Sequence, residues 1–432
     1  MLESYCNAYV SLSSCPHRGN RRSPSRAGLC GAGTGCHVRG VLRLHRLDLT
    51  DFRSYATLTW RPRARIAILF GPNGSGKTNL LEAISFLMPG RGLRGARGAE
   101  LARRGGSGQW AVAGRFSTVL GAAEIGTGTA PDGPSDRRVF RLDGAAPRNQ
   151  AEIGRRAAAV WLTPQMDRLF QEGASGRRRF LDRLVWALEA GHAREVAAHD
   201  AAMSQRNRLL AEGRAEPAWL AGLEDAMARH GVAATAARIA LTRRMNDVPD
   251  LGGLPEAFPA ARIDLLCPIA DRMAVSPALE VEDWLRAALA GNRGRDAAAG
   301  VALIGTHRSD MALIDRRTGA AAGMASTGQQ KTLLIGVILS HARLIADARG
   351  FAPLLLLDEP AVHLDAVRRL ALFRALRESP AQVFMTGTDV EIFLPLADDA
   401  DAWRTEGGAL LAEKGFAGGR LCPPAGGCDK SI

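Results

Sequence analysis

One octapeptide constrains the fold of this chain more than any other feature. Gly71-Pro-Asn-Gly-Ser-Gly-Lys-Thr78 satisfies the pattern G-x₄-G-K-[ST] between a short apolar run, Ile66–Phe70, and a helix predicted over Lys77–Leu87. A strand, a glycine-rich turn and a helix in this order place backbone N–H groups around a phosphate at the positive helix end. Lys77 would neutralise the β- and γ-phosphates, and the Thr78 hydroxyl would hold Mg²⁺. The sequence therefore predicts an α/β fold that binds a nucleoside triphosphate.

A second apolar run, Pro353–Leu357, ends in two adjacent carboxylates, Asp358 and Glu359. In phosphate-loop enzymes such a strand supplies one carboxylate to the Mg²⁺ shell and another that activates a water molecule. The same pair also occurs where a strand simply meets solvent. The phosphate loop in the same chain favours the catalytic interpretation.

Composition narrows the class of partner. Lys plus Arg number 56 against 44 Asp plus Glu, a formal net charge of +12. This excess indicates a polyanionic partner, the alternative being a solvated basic surface with no specific ligand. The apolar runs are shorter than the roughly 18 residues that a membrane span needs, and no secretion signal is evident. We therefore expect a cytoplasmic protein with reduced thiols.

The chain divides by composition into five segments. Residues 1–40 are rich in Ser, Gly, Pro and Arg without apolar periodicity, which predicts disorder or a start site assigned too far upstream. We expect the first part of an ATPase head over 41–176, with the phosphate loop and a β-rich lobe. A helical arm over 177–295 follows, interrupted at Pro217, then the second part of the head over 296–415 and a disordered tail over 416–432.

Further elements are predicted from short apolar runs and helical spacing. The predicted strands are Leu42–Leu49, Ala56–Trp60, Trp110–Phe116, Arg138–Leu142, Val301–Ile304, Ala312–Asp315 and Gln382–Met385. The predicted helices are a segmented Phe180–Asp247, Gln329–Ala348 and Ala366–Leu376. The strands of the second half should complete the sheet begun by the first, and the absence of sustained heptads argues against a long coiled coil.

The order of motifs resembles the ATP-binding-cassette ATPases. Between the phosphate loop and Asp358 lies Ser326-Thr-Gly-Gln-Gln, and after it comes His363-Leu-Asp365. A Ser at a helix start is most often an N-cap and nothing more. The resemblance implies instead that Ser326 and Gly328 act in trans on the γ-phosphate held by a second subunit, with Asp365 at the dimer seam.

Further motifs are similar to the RecF family of bacterial recombination mediators and repair ATPases. The sequence separation of Lys77 and Ser326 exceeds that of a transporter cassette and is less than that of a long coiled-coil clamp. The matching segments are Leu47–Tyr55, Gly71–Ile84, Gly173–Asp182 and Gln382–Asp389, the last without the histidine that transporters place there. The resemblance implies a cassette-type ATPase head with a β-rich lobe and an inserted helical arm.

The resemblance also implies a function. It predicts a weak ATPase that uses ATP and Mg²⁺, dimerises on ATP and clamps DNA at single-strand gaps. Other recombination mediators would be partners, in recombinase loading and the SOS response. The implied catalytic residues are Glu359, Lys77 and Ser326; the nucleotide-binding residues are Gly71, Pro72, Asn73, Gly74, Ser75, Gly76, Lys77, Thr78, Gln165, Ser326, Gly328 and Asp365; the metal ligands are Thr78 and Asp358.

Several assignments keep an alternative. Gln165 couples the γ-phosphate to the arm or is a plain turn glutamine, and His307 has a site role or is a packed or surface histidine. Arg177–Arg179 with Arg183, and Arg91–Arg104, contact DNA phosphates or, for the first cluster, form a solvated helix start. For the whole chain, the alternatives are a transporter-coupled ATPase and a nucleotide-gated dimer without a DNA role.

Overall fold

The computed structural model describes residues 40–96, 98–130, 138–189, 191–213, 216–247 and 258–416. Apart from Gly40 and Phe416, the two terminal segments expected to be disordered lie outside these residues, as do all cysteines except Cys267. None of the described helices combines the length and the apolar character that crossing a membrane requires.

The strands and helices are numbered in chain order. The strands are β1 Gly40–Val41, β2 Arg43–Phe52, β3 Tyr55–Trp60, β4 Ile66–Phe70, β5 Ala111–Thr118, β6 Gly121–Thr129, β7 Arg138–Leu142, β8 Ala159–Leu162, β9 Ala261–Leu266, β10 Asp310–Asp315, β11 Phe351–Ala352, β12 Leu354–Leu357, β13 Val383–Gly387, β14 Ala400–Glu406 and β15 Ala409–Ala412. The α-helices are α1 Lys77–Phe86, α2 Gly98–Leu101, α3 Gln150–Arg156, α4 Ala174–Leu188, α5 His192–Glu212, α6 Pro217–Asp247, α7 Pro268–Met273, α8 Ala278–Gly291, α9 Arg293–Ala299, α10 Thr327–Arg349 and α11 Ala366–Glu378.

A six-stranded sheet in the order β15-β14-β4-β13-β12-β8 forms the centre of the head. All neighbouring pairs are parallel except β14 with β15. Every residue of β4, β12 and β13 is buried, as expected for parallel strands covered on both faces. The phosphate loop follows β4, and the carboxylates Asp358 and Glu359 follow β12, so one edge of the sheet collects both motifs.

A five-stranded antiparallel sheet, β3-β2-β5-β6-β7, packs against α1 and confirms the expected β-rich lobe. Its strands bury alternate side chains, as β2 does with Leu47 and Leu49. The Phe52 ring meets the ring of Phe86 on α1 edge-on, with centroids 6.3 Å apart. The lobe is thereby attached to the helix that begins at the phosphate loop.

The predicted helical segment 180–247 consists of parts of three helices, α4, α5 and α6. The break falls at Gly213, a left-handed residue that caps α5, and Pro217 is the first residue of α6, where its missing N–H costs nothing. A separate apolar core forms between α5, α6 and α8. Inside it Arg206, fully buried, pairs with Glu224 at 3.0 Å and with Asp296 at 2.7 Å.

One predicted strand is wrong, and another belongs elsewhere. Val301–Ile304 is irregular, because the backbone N–H of Leu303 donates to the Asp296 carboxylate at 2.9 Å and Ala302 enters the helical core. The predicted strand at 312–315 lies within β10, but β10 pairs antiparallel with β9 and does not join the central sheet. A four-residue apolar run carries too little periodicity to separate these outcomes.

Candidate nucleotide-binding site

The phosphate loop has a backbone that only glycine adopts without strain at its critical points. Gly71, Gly74 and Gly76 have φ of +142°, +80° and +107°. A Cβ on Gly71 would lie 2.7 Å from the carbonyl oxygen of Thr405, and one on Gly76 would lie 2.6 Å from the Tyr55 hydroxyl. The loop is therefore a fixed concave path that leads directly into the N-terminus of α1.

Lys77 points back into this loop. Its side chain is 5% exposed, and Nζ donates to the carbonyl oxygens of Gly71 at 2.6 Å and Pro72 at 3.0 Å. Burial lowers the pKa of Lys77, while Glu359 and Asp358 act in the opposite direction. These carbonyls are neutral acceptors, so phosphate oxygens are the stronger partners for the same ammonium group.

Asp358 joins the phosphate loop to the strands beside it. Its Oδ1 accepts hydrogen bonds from the Thr78 hydroxyl at 3.0 Å and from the Thr386 hydroxyl at 2.7 Å. The Thr386 oxygen in turn accepts the backbone N–H of Glu359 at 2.8 Å. The two expected metal ligands, Thr78 and Asp358, are thus adjacent, and Thr386 was not singled out from the sequence. Its partners become visible only when β12 and β13 are paired in register.

Glu359 has an unusual backbone. Its φ is +51°, in the left-handed region that costs non-glycine residues free energy and that occurs often at functional sites. Its carbonyl oxygen accepts from Lys331 Nζ at 3.1 Å, and Lys331 also contacts Asp167 at 3.2 Å. Lys331, from α10, is 2% exposed and fixes the turn that carries Glu359. Only its position next to the Ser326 motif could have indicated this role.

Gln165 lies beside the same edge of the sheet. It belongs to a 3₁₀ helix, Pro164–Arg168, that follows β8, and β8 pairs with β12 so that Leu162 is opposite Leu357. Its side chain is exposed. The register places Gln165 just past the strand adjacent to the Asp-Glu pair. This location is compatible both with coupling of the γ-phosphate to the arm and with a plain turn glutamine.

Ser326, Gly328 and Asp365 form a second group. Ser326 is the N-cap of α10 in a reciprocal capping box with Gln329, and it is exposed. A Cβ on Gly328 would be 3.4 Å from the His363 carbonyl oxygen. Asp365 is the N-cap of α11, accepting the Arg368 N–H at 2.8 Å. The structure thus places Gly328 of the signature segment next to His363, two residues before Asp365.

The arginines of the first basic cluster, Arg177–Arg179 with Arg183, do not form one continuous basic surface. Arg177 donates two hydrogen bonds to Asp310, at 2.8 and 2.7 Å, and Arg178 donates to the Ser309 carbonyl at 2.8 Å. Asp310 raises the pKa of Arg177. Arg183 stacks on Trp161, and burial lowers its pKa to about 9. Three of the four guanidinium groups are engaged within the protein, and Arg179 is exposed.

The second basic cluster and His307 are partly engaged as well. Arg103 pairs with Asp51 at 2.7 Å, whereas Arg91 and Arg104 are exposed. His307 is a packed histidine: its Nε2 lies 2.9 Å from the Ala302 carbonyl oxygen and its ring contacts the ring of His199. Burial lowers the pKa of His307 to about 4, so it is neutral at physiological pH.

The structure has a phosphate loop and an Asp-Glu pair at one end of a largely parallel sheet, and a signature serine and an exposed aspartate at the starts of α10 and α11. Together with the antiparallel lobe and the inserted helical region, these features define an ATP-binding-cassette-type ATPase head. The family described as "RecF/RecN/SMC N terminal domain" matches residues 43–399. The chain is 45% identical over 367 residues to the DNA replication and repair protein RecF of Allorhizobium ampelinum, covering 85% of this chain and 98% of that one.

A second relative, the DNA replication and repair protein RecF of Mesorhizobium japonicum, is 45% identical over 372 residues, covering 85% of this chain and 97% of that one. The chain belongs to the RecF family. Its fold is also that of a structure titled "Structure of the recombination mediator protein RecF-ATPrS in RecFOR pathway", with a TM-score of 0.75, 21% identity, and coverage of 86% of this chain and 98% of that chain. Family membership supports a role in DNA replication and repair over the transporter-coupled alternative.

Proposed function

We propose that this chain is an ATPase of recombinational repair that binds ATP with Mg²⁺, dimerises in response and thereby clamps DNA at single-strand gaps. The observation that carries the proposal is the hydrogen bond between the Thr78 hydroxyl and the Asp358 carboxylate, 3.0 Å long. It joins the helix after the phosphate loop to the carboxyl end of a parallel strand, where phosphate-loop enzymes hold the metal.

The residues present fit ATP and Mg²⁺. The three left-handed glycines leave a concave path of backbone N–H groups, and a hydroxyl with a carboxylate is an oxygen donor set that suits Mg²⁺. When bound, Mg²⁺ would neutralise the charge that develops on the phosphates. Lys77 would contact phosphate oxygens, and Glu359, held by Thr386 and Lys331, would orient and deprotonate the attacking water. We propose that hydrolysis is slow and gates DNA binding.

The proposal of a dimer rests on the exposure of the signature segment. Ser326 lies at the N-terminus of a 23-residue helix with an exposed side chain. The capping bond satisfies the Gln329 N–H, and the positive end of the helix dipole still favours an anion, such as a γ-phosphate held by a second copy. We therefore assign Ser326 and Gly328 to a trans contact, and Asp365, which lies beside them, to the subunit interface.

The DNA partner follows from the family and from the charge of +12. Exposed arginines, among them Arg91, Arg104 and Arg179, are available for phosphate contacts. We also propose that the ATPase head consists of the segments 41–176 and 296–415 and that the helical arm spans 177–295. The same family resemblance supports a cytoplasmic location and an association with other recombination mediators.

Glu359→Gln tests the proposal. Asp358 and Thr78 remain to bind ATP·Mg²⁺, but the group that deprotonates water is lost, so ATP should accumulate in a stable dimer. Sedimentation in ATP·Mg²⁺ should show a dimer that retains gapped DNA, with hydrolysis lost. Glu378→Gln, on an exposed site of α11, is the matched control and should behave as the unaltered chain. A Glu359→Gln monomer in saturating ATP would contradict the two-headed assignment.

A further inference from the structure

A cavity of about 430 Å³ lies apart from the nucleotide site. It is lined by the start of β8, at Ala159, and by parts of α3 and α4 together with the last residue of α10, Arg349. The phosphate loop and Asp358 lie at the opposite, carboxyl, end of the parallel strands. The cavity is therefore separate from the nucleotide site.

The charged side chains among the described lining residues are all basic. Among the described residues that line it are three arginines, Arg183, Arg194 and Arg349, and no Asp or Glu. Arg194 is largely exposed, with Glu195 3.8 Å from its Nε. Arg349 donates to the Gly154 carbonyl oxygen at 2.7 Å.

Arg183 has no anionic partner within hydrogen-bond distance among the described residues. Its guanidinium donates to the Trp161 carbonyl oxygen over a long 3.4 Å and to the Met166 sulfur, a weak acceptor, at 3.4 Å, and it stacks on the rings of Trp161 and Phe180. Burial alone lowers its pKa, to about 9, so it stays cationic at neutral pH. A desolvated cation without a counter-charge is costly, and an anion placed beside it would remove that cost.

The remaining walls of the cavity are apolar and leave space for a ligand. Met88, Trp186 and the alanines at 157–159 line the cavity with carbon surface. A Cβ built on Gly154 would meet nothing closer than 3.9 Å. Apolar walls with a few convergent polar groups are the usual composition of a ligand site, and the volume is within the usual range.

We propose that this cavity binds an apolar molecule with a carboxylate, whose carboxylate pairs with Arg183 while its apolar part packs against Trp186 and the alanine wall. A planar guanidinium matches a carboxylate with two parallel hydrogen bonds. The carboxylate comes from a free small molecule or from the C-terminal residue of a peptide, and both sources offer the same chemistry.

The first experiment uses 4-phenylbutyrate with the full-length chain, read by calorimetry and by the fluorescence of the two tryptophans that line the cavity. The neutral 4-phenylbutanamide is the matched ligand control. Arg183→Met keeps most of the side-chain volume and removes the charge, and it should weaken phenylbutyrate binding on the order of tenfold or more. Arg179→Met, on the exposed side of the same helix, should leave binding unchanged.

The outcomes separate the possibilities. Equal binding of acid and amide, undiminished binding by Arg183→Met, or no binding of either probe by the unaltered chain would overturn the proposal. If Arg183→Met fails to fold, Ala187→Leu, which adds volume to the wall, provides the second test and should abolish binding. Both variants should keep ATP binding, because the nucleotide site is elsewhere.

Peptide and small-molecule sources are distinguished by competition. N-acetyl-Ala-Ala-Phe with a free C-terminus should displace phenylbutyrate if the occupant is a chain terminus, and its C-terminal amide should not. Phenylbutyrate that binds and resists the peptide acid identifies a small-molecule site. Displacement by the peptide amide as well as by the acid would show that the carboxylate is not recognised, and would overturn the proposal.

Discussion

At the scale of single residues, the site converges on one oxygen atom. Asp358 Oδ1 accepts from hydroxyls on α1 and β13, so three segments distant in sequence are joined there. The proximity of Thr78 and Asp358 could be predicted from the sequence, because each lies in a short motif with a recognisable spacing. Thr386 could not, because its role depends on the register between two strands.

Thr386→Val should destabilise the chain without changing its shape. Valine keeps the volume but removes one of the two hydroxyl donors to Asp358 Oδ1 and leaves the part-buried Glu359 N–H without its acceptor. The free energy of unfolding in urea should fall by about 1–3 kcal/mol. Thr388→Val, on an exposed threonine of the next turn, is the control and should change it by no more than about 0.5 kcal/mol. Equal effects would show that the Asp358 hydrogen bond carries no stability.

Lys77→Ala should abolish ATP binding. Its ammonium is held inside the loop by two carbonyl oxygens and is the cation of that loop, so its loss leaves the phosphate charge without a side-chain counterpart. Titration with a fluorescent ATP analogue measures this. Lys414→Ala, an exposed lysine near the end of the described residues, should bind as the unaltered chain does. Undiminished binding by Lys77→Ala would remove the phosphate-loop assignment.

At the scale of elements, sequence periodicity predicted long helices better than short strands. The helix predicted at 329–348 lies within α10, and the break before Pro217 is present. The four residues of β8 were not predicted because a strand of this length, which follows two alanines, is too short to show a period, although pairing with β12 buries the strand. Short strands are decided by their neighbours in the sheet, which a single sequence does not display.

The start of α10 combines a helix cap with the proposed contact to a second subunit. Ser326 is the N-cap expected of an ordinary helix, and its exposure leaves it free for a partner. Ser326→Arg should therefore keep the ATP affinity of the monomer but block ATP-dependent dimerisation and hydrolysis, measured by sedimentation and phosphate release. Ser326→Ala removes the same cap, at a cost of about 0.5–2 kcal/mol, without bulk, and separates cap loss from steric exclusion. Loss of monomer ATP binding in Ser326→Arg would place the serine in the local site.

At the scale of the whole molecule, α4 links the head to the arm region. Its first turn is bound to β10 through Arg177 and Asp310, and further along it carries Arg183 against Trp161 of the central sheet. A run of three arginines at 177–179 suggests a single electrostatic surface when only the sequence is known. The fold separates them because successive helical residues point in directions about 100° apart, so one faces Asp310 and another faces solvent.

Single substitutions in this run should therefore give different results. Arg177→Ala removes both hydrogen bonds to Asp310 and should lower the free energy of unfolding by about 1–2 kcal/mol, reduced from the value for a buried pair by its partial exposure. It should leave the salt dependence of DNA binding unchanged.

Arg179→Ala should keep the stability and, if its guanidinium contacts a phosphate, reduce the slope of log affinity against log salt by about 0.9 on duplex DNA. Affinity would then fall about equally across sequences. Replacing all three arginines should combine these two effects with the loss of the Arg178 hydrogen bond to the Ser309 carbonyl oxygen. A smaller salt dependence of DNA binding in Arg177→Ala, with stability intact, would show that Arg177 contacts a DNA phosphate and that its bonds to Asp310 carry no stability.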